Sequence, residues 1–476
     1  MKQLRKLSLR KMMVAAVLAV ALLGAGCATR IEETAEAAQV PQGEVAELTA
    51  TDILRMLDEG RYDAVWEIFD VSVQEVIPDP SDLADVWSQL VEITGPNIHG
   101  RIVDVVTSVE LEMGLEINEI LSALDSPEAL LSTTIIFSDE RRVMGFFFDL
   151  VPNHLFEGVA SDLFTEESVI VGAGGAFPLD AMLTMPKNAA GPVPAVVLVH
   201  GSGPNDMDST IMAIRPFRDI AHYLAEQGVA VLRYNKRTFT HGELMYEKIG
   251  ADLTVFEETI EDAVLAKDVL LADSRIDPER IYVLGLSLGG MLAPEIATIG
   301  DFAGFILMAG TQRSLPSLMV EQIEYVAGIP GWIPEADAAM AMLMAQAVYD
   351  EYLAARALPI EEARALGISP VMGVSPYYFI NLTDRVNADF IVNWTRPALI
   401  LHGDHDYQVR YYIDFAAYLD LTANMPNVRT ILYPGLTHLF TQSFSETGMG
   451  TPMDYAFPGH VAPEVLRDIA SFILGE

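Results

Sequence analysis

Residues 280–290 constrain this chain more than any other stretch. Arg280 to Leu284 is a run of strand formers, and Gly285-Leu286-Ser287-Leu288-Gly289-Gly290 follows at once, ahead of a helical stretch. A strand that turns directly into a helix needs residues without side chains where the two cross. Glycines at 285, 289 and 290 meet that need, and the turn projects Ser287 outward on a strained backbone. A bare G-x-S-x-G is a weak signal; one seated between strand and helix marks Ser287 as a candidate nucleophile.

A serine hydroxyl attacks only if a base takes its proton, and that base is normally a histidine oriented by a carboxylate. On a turn of this kind the chain order is Ser, acid, His. The histidines downstream are His402, His405, His438 and His460. Gly403-Asp404-His405-Asp406 follows the strand Ala398 to Leu401, so it offers two acids at a strand's C-terminal end, where such sheets place catalytic groups. Asp404 also suits an Asx turn. His438 lies in the loop after the last strand, Thr430 to Tyr433, where the base is expected. His460 stands beside the terminal helix and suits a helix-end or core role. Backbone N–H groups should hold the developing oxyanion. The expected donors are Leu288, directly after the nucleophile, and Ser202, in the loop His200-Gly201-Ser202-Gly203 after the strand Ala195 to Val199. His200 reads as a structural hydrogen-bonding residue.

The surrounding texture is consistent with this placement. Strands at 195–199, 229–234, 280–284, 305–308, 398–401 and 428–432 alternate with helices at 217–227 and 256–273, which implies a mostly parallel sheet covered on both faces. Residues about 311–395 break the rhythm with helices at 319–326, 336–352 and 360–365 and no obvious strand, and read as a helical lid. Within it, Met340, Met342 and Met344 read as core.

Upstream, residues 49–152 read as a separate small α+β domain. Ile53, Leu54, Leu57, Val65, Ile68 and Phe69 have helical spacing, and Pro80-Ser81-Asp82 opens a second helix through Leu83, Val86, Trp87, Leu90 and Val91. Strand-like runs follow at 102–111, 133–137 and 143–148, the last two joined by a hairpin at 138–141. No cluster of ionisable residues there suggests catalysis, so a packing or positioning role is expected.

The chain begins as an exported protein would. Lys2, Arg5, Lys6, Arg10 and Lys11 precede an apolar run from Met12 to Gly26, too short to span a bilayer and suited to a signal peptide, residues 1–26. Ala25-Gly26-Cys27 resembles the end of a bacterial lipobox, with Gly24 where a large aliphatic residue is usual. Cys27 is therefore the candidate lipidation site and point of membrane attachment, with residues 27–48 as a tether. The expected location is the cell envelope as a lipoprotein, or otherwise the periplasm or the medium. Cys27 is the only cysteine, which excludes an intrachain disulfide and any Cys-based zinc site. The 476 residues carry 67 Asp and Glu against 29 Lys and Arg, a net charge of −38. That balance argues against nucleic acid as a partner and against adhesion to an anionic membrane by charge.

Five separated segments carry a family resemblance: His200-Gly-Ser-Gly-Pro-Asn-Asp206, Arg233-Tyr-Asn-Lys-Arg237, the turn at Ser287, Gly403-Asp-His-Asp-Tyr-Gln-Val409 and Tyr433-Pro-Gly-Leu-Thr-His-Leu439. Residues 165–476 resemble a bacterial α/β-hydrolase of the dienelactone hydrolase and serine-aminopeptidase-like group, in particular its lidded esterases. Residues 49–152 resemble the small uncharacterised domain that often precedes such enzymes. Asn235 stands where the relatives often have Asp. The resemblance implies an α/β-hydrolase fold with a mostly parallel sheet and a helical lid insertion. It implies a triad of Ser287, Asp406 (rather than Asp404) and His438 (rather than His460), no metal or organic cofactor, and a small-molecule ester as substrate, with short-acyl or aryl esters expected. A peptidase, amidase or acyltransferase using the same triad is the alternative, and a non-catalytic envelope binding protein a remote one.

Overall fold

The stretch Val193–Val199 has no polar side chain, and in the computed structural model all seven of its residues are buried. That is the signature of a strand with a layer on each face. The structure describes residues 48–476 apart from 111–114, 125–128, 153–160, 188, 213, 330–332, 334, 386, 446–447 and 456–458. The leader and Cys27 lie outside the described residues. Among the described residues, no helix is long and apolar enough to cross a membrane.

The first part is built from α1 (Ala50–Asp58), α2 (Tyr62–Trp66), α3 (Val71–Val76) and α4 (Pro80–Thr94), then β1 (Ile102–Glu110), β2 (Leu115–Ala123), β3 (Ala129–Phe137) and β4 (Val143–Pro152). The strands form an antiparallel sheet in the order β1-β2-β3-β4. Thr49 caps α1 reciprocally with Asp52, and Asp79 caps α4 ahead of Pro80. Alternate residues of β3, including Leu131, Ile135 and Phe137, are buried with Ile53, Leu54, Leu57, Phe69 and Trp87 from the helices.

The larger part contains β5 (Phe164–Val171), β6 (Leu179–Pro186), β7 (Val193–Val199), α5 (Pro216–Glu226), β8 (Ala230–Tyr234), α6 (Arg237–Ile249), α7 (Glu261–Leu271), β9 (Ile276–Leu286), α8 (Leu288–Ile299) and β10 (Gly304–Met308). A π-helical turn, Phe256–Ile260, leads into α7. Five helices then intervene before the sheet resumes: α9 (Leu315–Ala327), α10 (Glu335–Arg356), α11 (Ile360–Arg364), α12 (Pro376–Asp384) and α13 (Asn387–Val392). β11 (Ala398–Gly403), α14 (Asp414–Thr422), β12 (Val428–Tyr433) and α15 (Pro463–Leu474) complete it. The sheet order is β12-β11-β10-β9-β7-β8-β6-β5. From β12 to β8 all neighbours are parallel; β6 and β5 join antiparallel at the far edge.

Strand alternation divides the core in two. Ala195, Val197 and Val199 face a cluster that includes Ala263, Ala266 and Leu270 of α7, Met291 and Ile296 of α8, and Phe415 and Tyr418 of α14. Val196 and Leu198 face Phe217, Ile220 and Leu224 of α5 and Val465, Ile469 and Ile473 of α15. The result is a three-layer α/β/α arrangement whose strand C-termini at β9, β11 and β12 share one edge.

The expected core role of the Met340, Met342 and Met344 stripe is not what the structure has. Met340 is 57% and Met344 38% exposed, and Met342 is only half-buried. Side chains at i, i+2 and i+4 cannot share one face of a helix that turns about 100° per residue. The buried face of α10 is instead Ala345, Val348, Tyr352 and Ala355, and the last three pack with Ala363, Met372 and Ile380.

The glycines at the β9–α8 turn allow close backbone contact. A Cβ on Gly289 would lie 2.2 Å from the Val199 carbonyl oxygen and 2.6 Å from that of His200; one on Gly285 would lie 2.0 Å from Gly289 O. These obstacles are backbone, so the sheet itself would have to move. Gly289→Ala should therefore cost at least about 2 kcal/mol of stability, read as a lower urea midpoint. A midpoint equal to wild type would show that the crossing has slack.

Candidate active site

Ser287 occupies the residue between β9 and α8 at φ 59°, ψ −116°. A non-glycine residue there is strained, and the surroundings hold it in place. Its N–H bonds Met308 O of β10 at 2.9 Å, and its carbonyl accepts from Met291 N at 2.8 Å. Leu288 is the first residue of α8, so its N–H lies among those that a helix leaves without an internal partner.

Asp406 and His438 are brought together by backbone. Asp404 N donates to Tyr433 O at 3.0 Å and His405 N to Leu436 O at 3.0 Å, which ties the loop after β11 to the loop after β12. Gly403 leaves no room for a side chain, since its Cβ would sit 2.2 Å from Leu436 O. Within this frame His438 Nδ1 lies 2.7 Å from Asp406 Oδ2, both residues being buried. The other carboxylate oxygen accepts from Gln408 N at 2.8 Å and Val409 N at 2.9 Å. Burial alone would raise the Asp406 carboxyl; the His438 and His402 rings beside it hold it well below the usual carboxylate range. No sequence signal marks His402 as a partner of Asp406. Its Nε2 sits 2.8 Å from Val409 O and 3.4 Å from Asp406 Oδ2.

The competing residues lie elsewhere. Asp404, for which an Asx turn is the alternative to a catalytic role, instead accepts on Oδ1 from Gly435 N at 2.6 Å, across the gap between loops. His460 is an exposed surface residue, not a core one, with Nδ1 3.1 Å from Asp219 Oδ1 near the start of α5. Asn235, in the position where Asp is often found, accepts the Met207 N–H on Oδ1 at 2.8 Å, a task a neutral amide performs well.

The loop after β7 lies against the serine. A Cβ built on Gly201 would be 3.2 Å from Ser287 Cβ and 3.7 Å from its Oγ. Ser202 itself is exposed. Asn205, whose role no sequence signal marks, donates from Nδ2 to Ser202 O at 3.1 Å and Gly203 O at 3.0 Å. Residues of the helical insertion reach the acid loop: Gln322 Nε2 donates to Gln408 O at 2.9 Å, and Tyr325 stacks on Tyr407 with centroids 5.6 Å apart. Among the described residues, no group of three or more His, Cys, Asp or Glu is placed to hold a metal ion.

His200 is buried under this loop, with Nε2 2.9 Å from Asp206 O and its ring against Phe217 and Tyr234. Burial, then the Lys236 charge, pushes its imidazole down from 6.5 to about 3. Between those values the unfolded chain binds a proton that the native one does not, so stability falls as pH drops from 6.5 towards 3. His200→Gln, which cannot titrate, should lose less stability than wild type between pH 6.5 and 4, by up to about 3 kcal/mol in urea unfolding. Parallel curves for the two proteins would sever this link.

A model of the alpha/beta hydrolase family matches residues 196–446, a span that contains Ser287, Asp406 and His438. Esterase EstD of Thermotoga maritima is 35% identical over 348 residues, covering 72% of this chain and 76% of that protein. Among solved structures, Est1E from Butyrivibrio proteoclasticus aligns at 19% identity and a TM-score of 0.38, over 65% of this chain and 98% of that one. The Pyrobaculum calidifontis esterase aligns at 18% identity and a TM-score of 0.39, over 65% of this chain and 85% of that one. By the family match and by the extent of its likeness to EstD, the chain belongs to the alpha/beta hydrolase family.

Proposed function

We propose that this protein is a serine carboxylic ester hydrolase that works through Ser287, His438 and Asp406, with short-acyl or aryl esters as its substrate class. Ser287 Oγ attacks the ester carbonyl while His438 takes its proton. The Leu288 and Ser202 N–H groups receive the charge that develops on the carbonyl oxygen. Collapse of that adduct expels the alcohol, which leaves with the proton from His438, and an acyl-serine remains. Water then attacks the acyl group by the same route in reverse, releasing the acid and restoring the serine. Asp406 keeps the ring oriented and stabilises its protonated form.

The observation that carries this reading is the 2.7 Å bond between Asp406 and His438, made inside the protein on the same sheet edge as the strained Ser287. A histidine held through Nδ1 by a buried carboxylate has its other nitrogen left for proton transfer. The substantial likeness to a protein named an esterase supports ester hydrolysis as the reaction.

A fluorophosphonate probe should label the wild-type protein and leave Ser287→Ala unlabelled, and p-nitrophenyl acetate turnover should vanish with the label. Equal labelling of both would remove Ser287 from the site. A set of aminoacyl anilides assayed alongside should be cleaved far more slowly than the esters; the opposite order would make the enzyme an amidase. Asp406→Asn should keep the fold and lower kcat by about 10³–10⁴-fold, since the ring loses its orienting charge. A loss of less than tenfold would indicate that another acid serves His438.

We also propose that the chain is exported and anchored through a lipid on Cys27, on the strength of the basic and apolar leader that precedes it. Labelled palmitate should enter the wild-type protein and not Cys27→Ser; label retained by the variant would rule the anchor out.

A further inference from the structure

A lysine buried beside the oxyanion loop has no part in the reaction as described. Lys236, between β8 and α6, is 1% exposed. Its Nζ lies 2.8 Å from Gly201 O and 2.6 Å from Glu258 Oε1. Glu258 is buried in the π-helical turn, and its other oxygen accepts a hydrogen bond from the Tyr378 hydroxyl on α12 of the helical insertion. Burial, reinforced by the Glu258 charge, pushes the Tyr378 phenol well above its ordinary value, so it keeps its proton and donates. A continuous chain of contacts thus runs from an insertion helix, through a buried ion pair, to a peptide group beside Ser287.

Buried ion pairs are costly, and an apolar pair of the same size is often at least as stabilising. This one does something an apolar pair could not. The Gly201–Ser202 peptide is planar, and in a trans peptide the carbonyl and the following N–H point in opposite directions. Holding Gly201 O towards the lysine turns the Ser202 N–H the other way. A cation on the oxygen also draws electron density through the amide and strengthens the N–H as a donor. The same segment grips the loop elsewhere: Lys236 N donates to Asn205 O at 2.9 Å, and Thr238 Oγ1 to Gly203 O at 3.3 Å.

We propose that Lys236 is a positioning residue that orients and polarises the Ser202 amide for the oxyanion, and that Glu258 and Tyr378 make this depend on the seating of α12. The inference rests on the serine-esterase reading and adds to it a link between the helical insertion and the chemical step. Lys236 acts through the Gly201–Ser202 peptide, and Glu258 and Tyr378 act through Lys236.

The test uses the full-length chain, with active sites counted by the end point of fluorophosphonate labelling. Lys236→Met should lower kcat per labelled site by about 10–100-fold with KM little changed, since the affected amide acts mainly in the transition state. Its affinity for an aryl trifluoromethyl ketone, which adds to the serine to give a stable oxyanion, should fall by a similar factor. Tyr378→Phe removes one hydroxyl and keeps the ring, and should show the same pattern at about 3–10-fold; it decides the matter if Lys236→Met does not fold. Values of kcat per site within twofold of wild type would overturn the proposal, as would a loss confined to KM or to thermal stability. The underlying reading fails separately: in that case wild type is not labelled at Ser287, and both fall together. A labelled, active wild type with unaffected variants removes only the role of Lys236.

Discussion

Everything in the catalytic half depends on how closely three backbone segments approach one another. The first turn of α8 presses on the end of β7, and its glycines stand where any side chain would strike carbonyl oxygens. That contact fixes the direction in which the chain leaves β9, and so the φ of 59° at Ser287. The strain is local and the sheet supplies the restraint, through the bond from Ser287 N to Met308 O. A threonine could not take the serine's place, because a branched Cβ does not tolerate that conformation. Backbone geometry restricts which residue can stand at this turn before any question of reactivity arises.

A second regularity concerns charge. The chain is strongly acidic, yet several of its few cations are buried. Arg233 meets Glu166, Asp208 and the Thr184 hydroxyl, joining β8 to the antiparallel strands β5 and β6. Arg237, the first residue of α6, meets Glu261 and Asp262 of α7. Lys236 meets Glu258. Each ties separate segments at a defined point, which non-directional apolar contact does less well. Asp406 shows the converse case: a buried carboxylate that accepts from two backbone amides and lies against the His402 and His438 rings.

Where the sequence carries a sharp local pattern, the fold can be read from it. The strand–glycine–serine–glycine–helix run, the strand from 193 to 199 and the loop positions of Asp406 and His438 are all signals within a dozen residues. β6 was not legible because Leu-Asp-Ala-Met-Leu-Thr-Met-Pro has no strand-like composition; pairing with β8 makes it a strand. β2 hides for a similar reason, with Leu, Glu and Asn scattered along it. The helices α12 and α13 are short, and only contact with the rest of the protein makes them helical. The methionine stripe has the composition of a core but not the helical phase of one. Lys236 stood in view within a recognised motif, but its use depends on Glu258 and Tyr378, which lie 22 and 142 residues further along the chain. No local reading could join them.

The π-helical turn at Phe256–Ile260 has a consequence of its own. Such a turn holds one residue more than the α-helical turn it replaces, so it amounts to an insertion carried within an otherwise unbroken helix through Leu271. Removing that extra residue would rotate everything before Glu261 by about 100° relative to α7. Glu258 would then swing away from Lys236 and Tyr378 although every side chain involved was still encoded. In this segment chain length is part of the chemistry: substitutions there can be conservative or drastic, but a one-residue deletion changes which atoms meet.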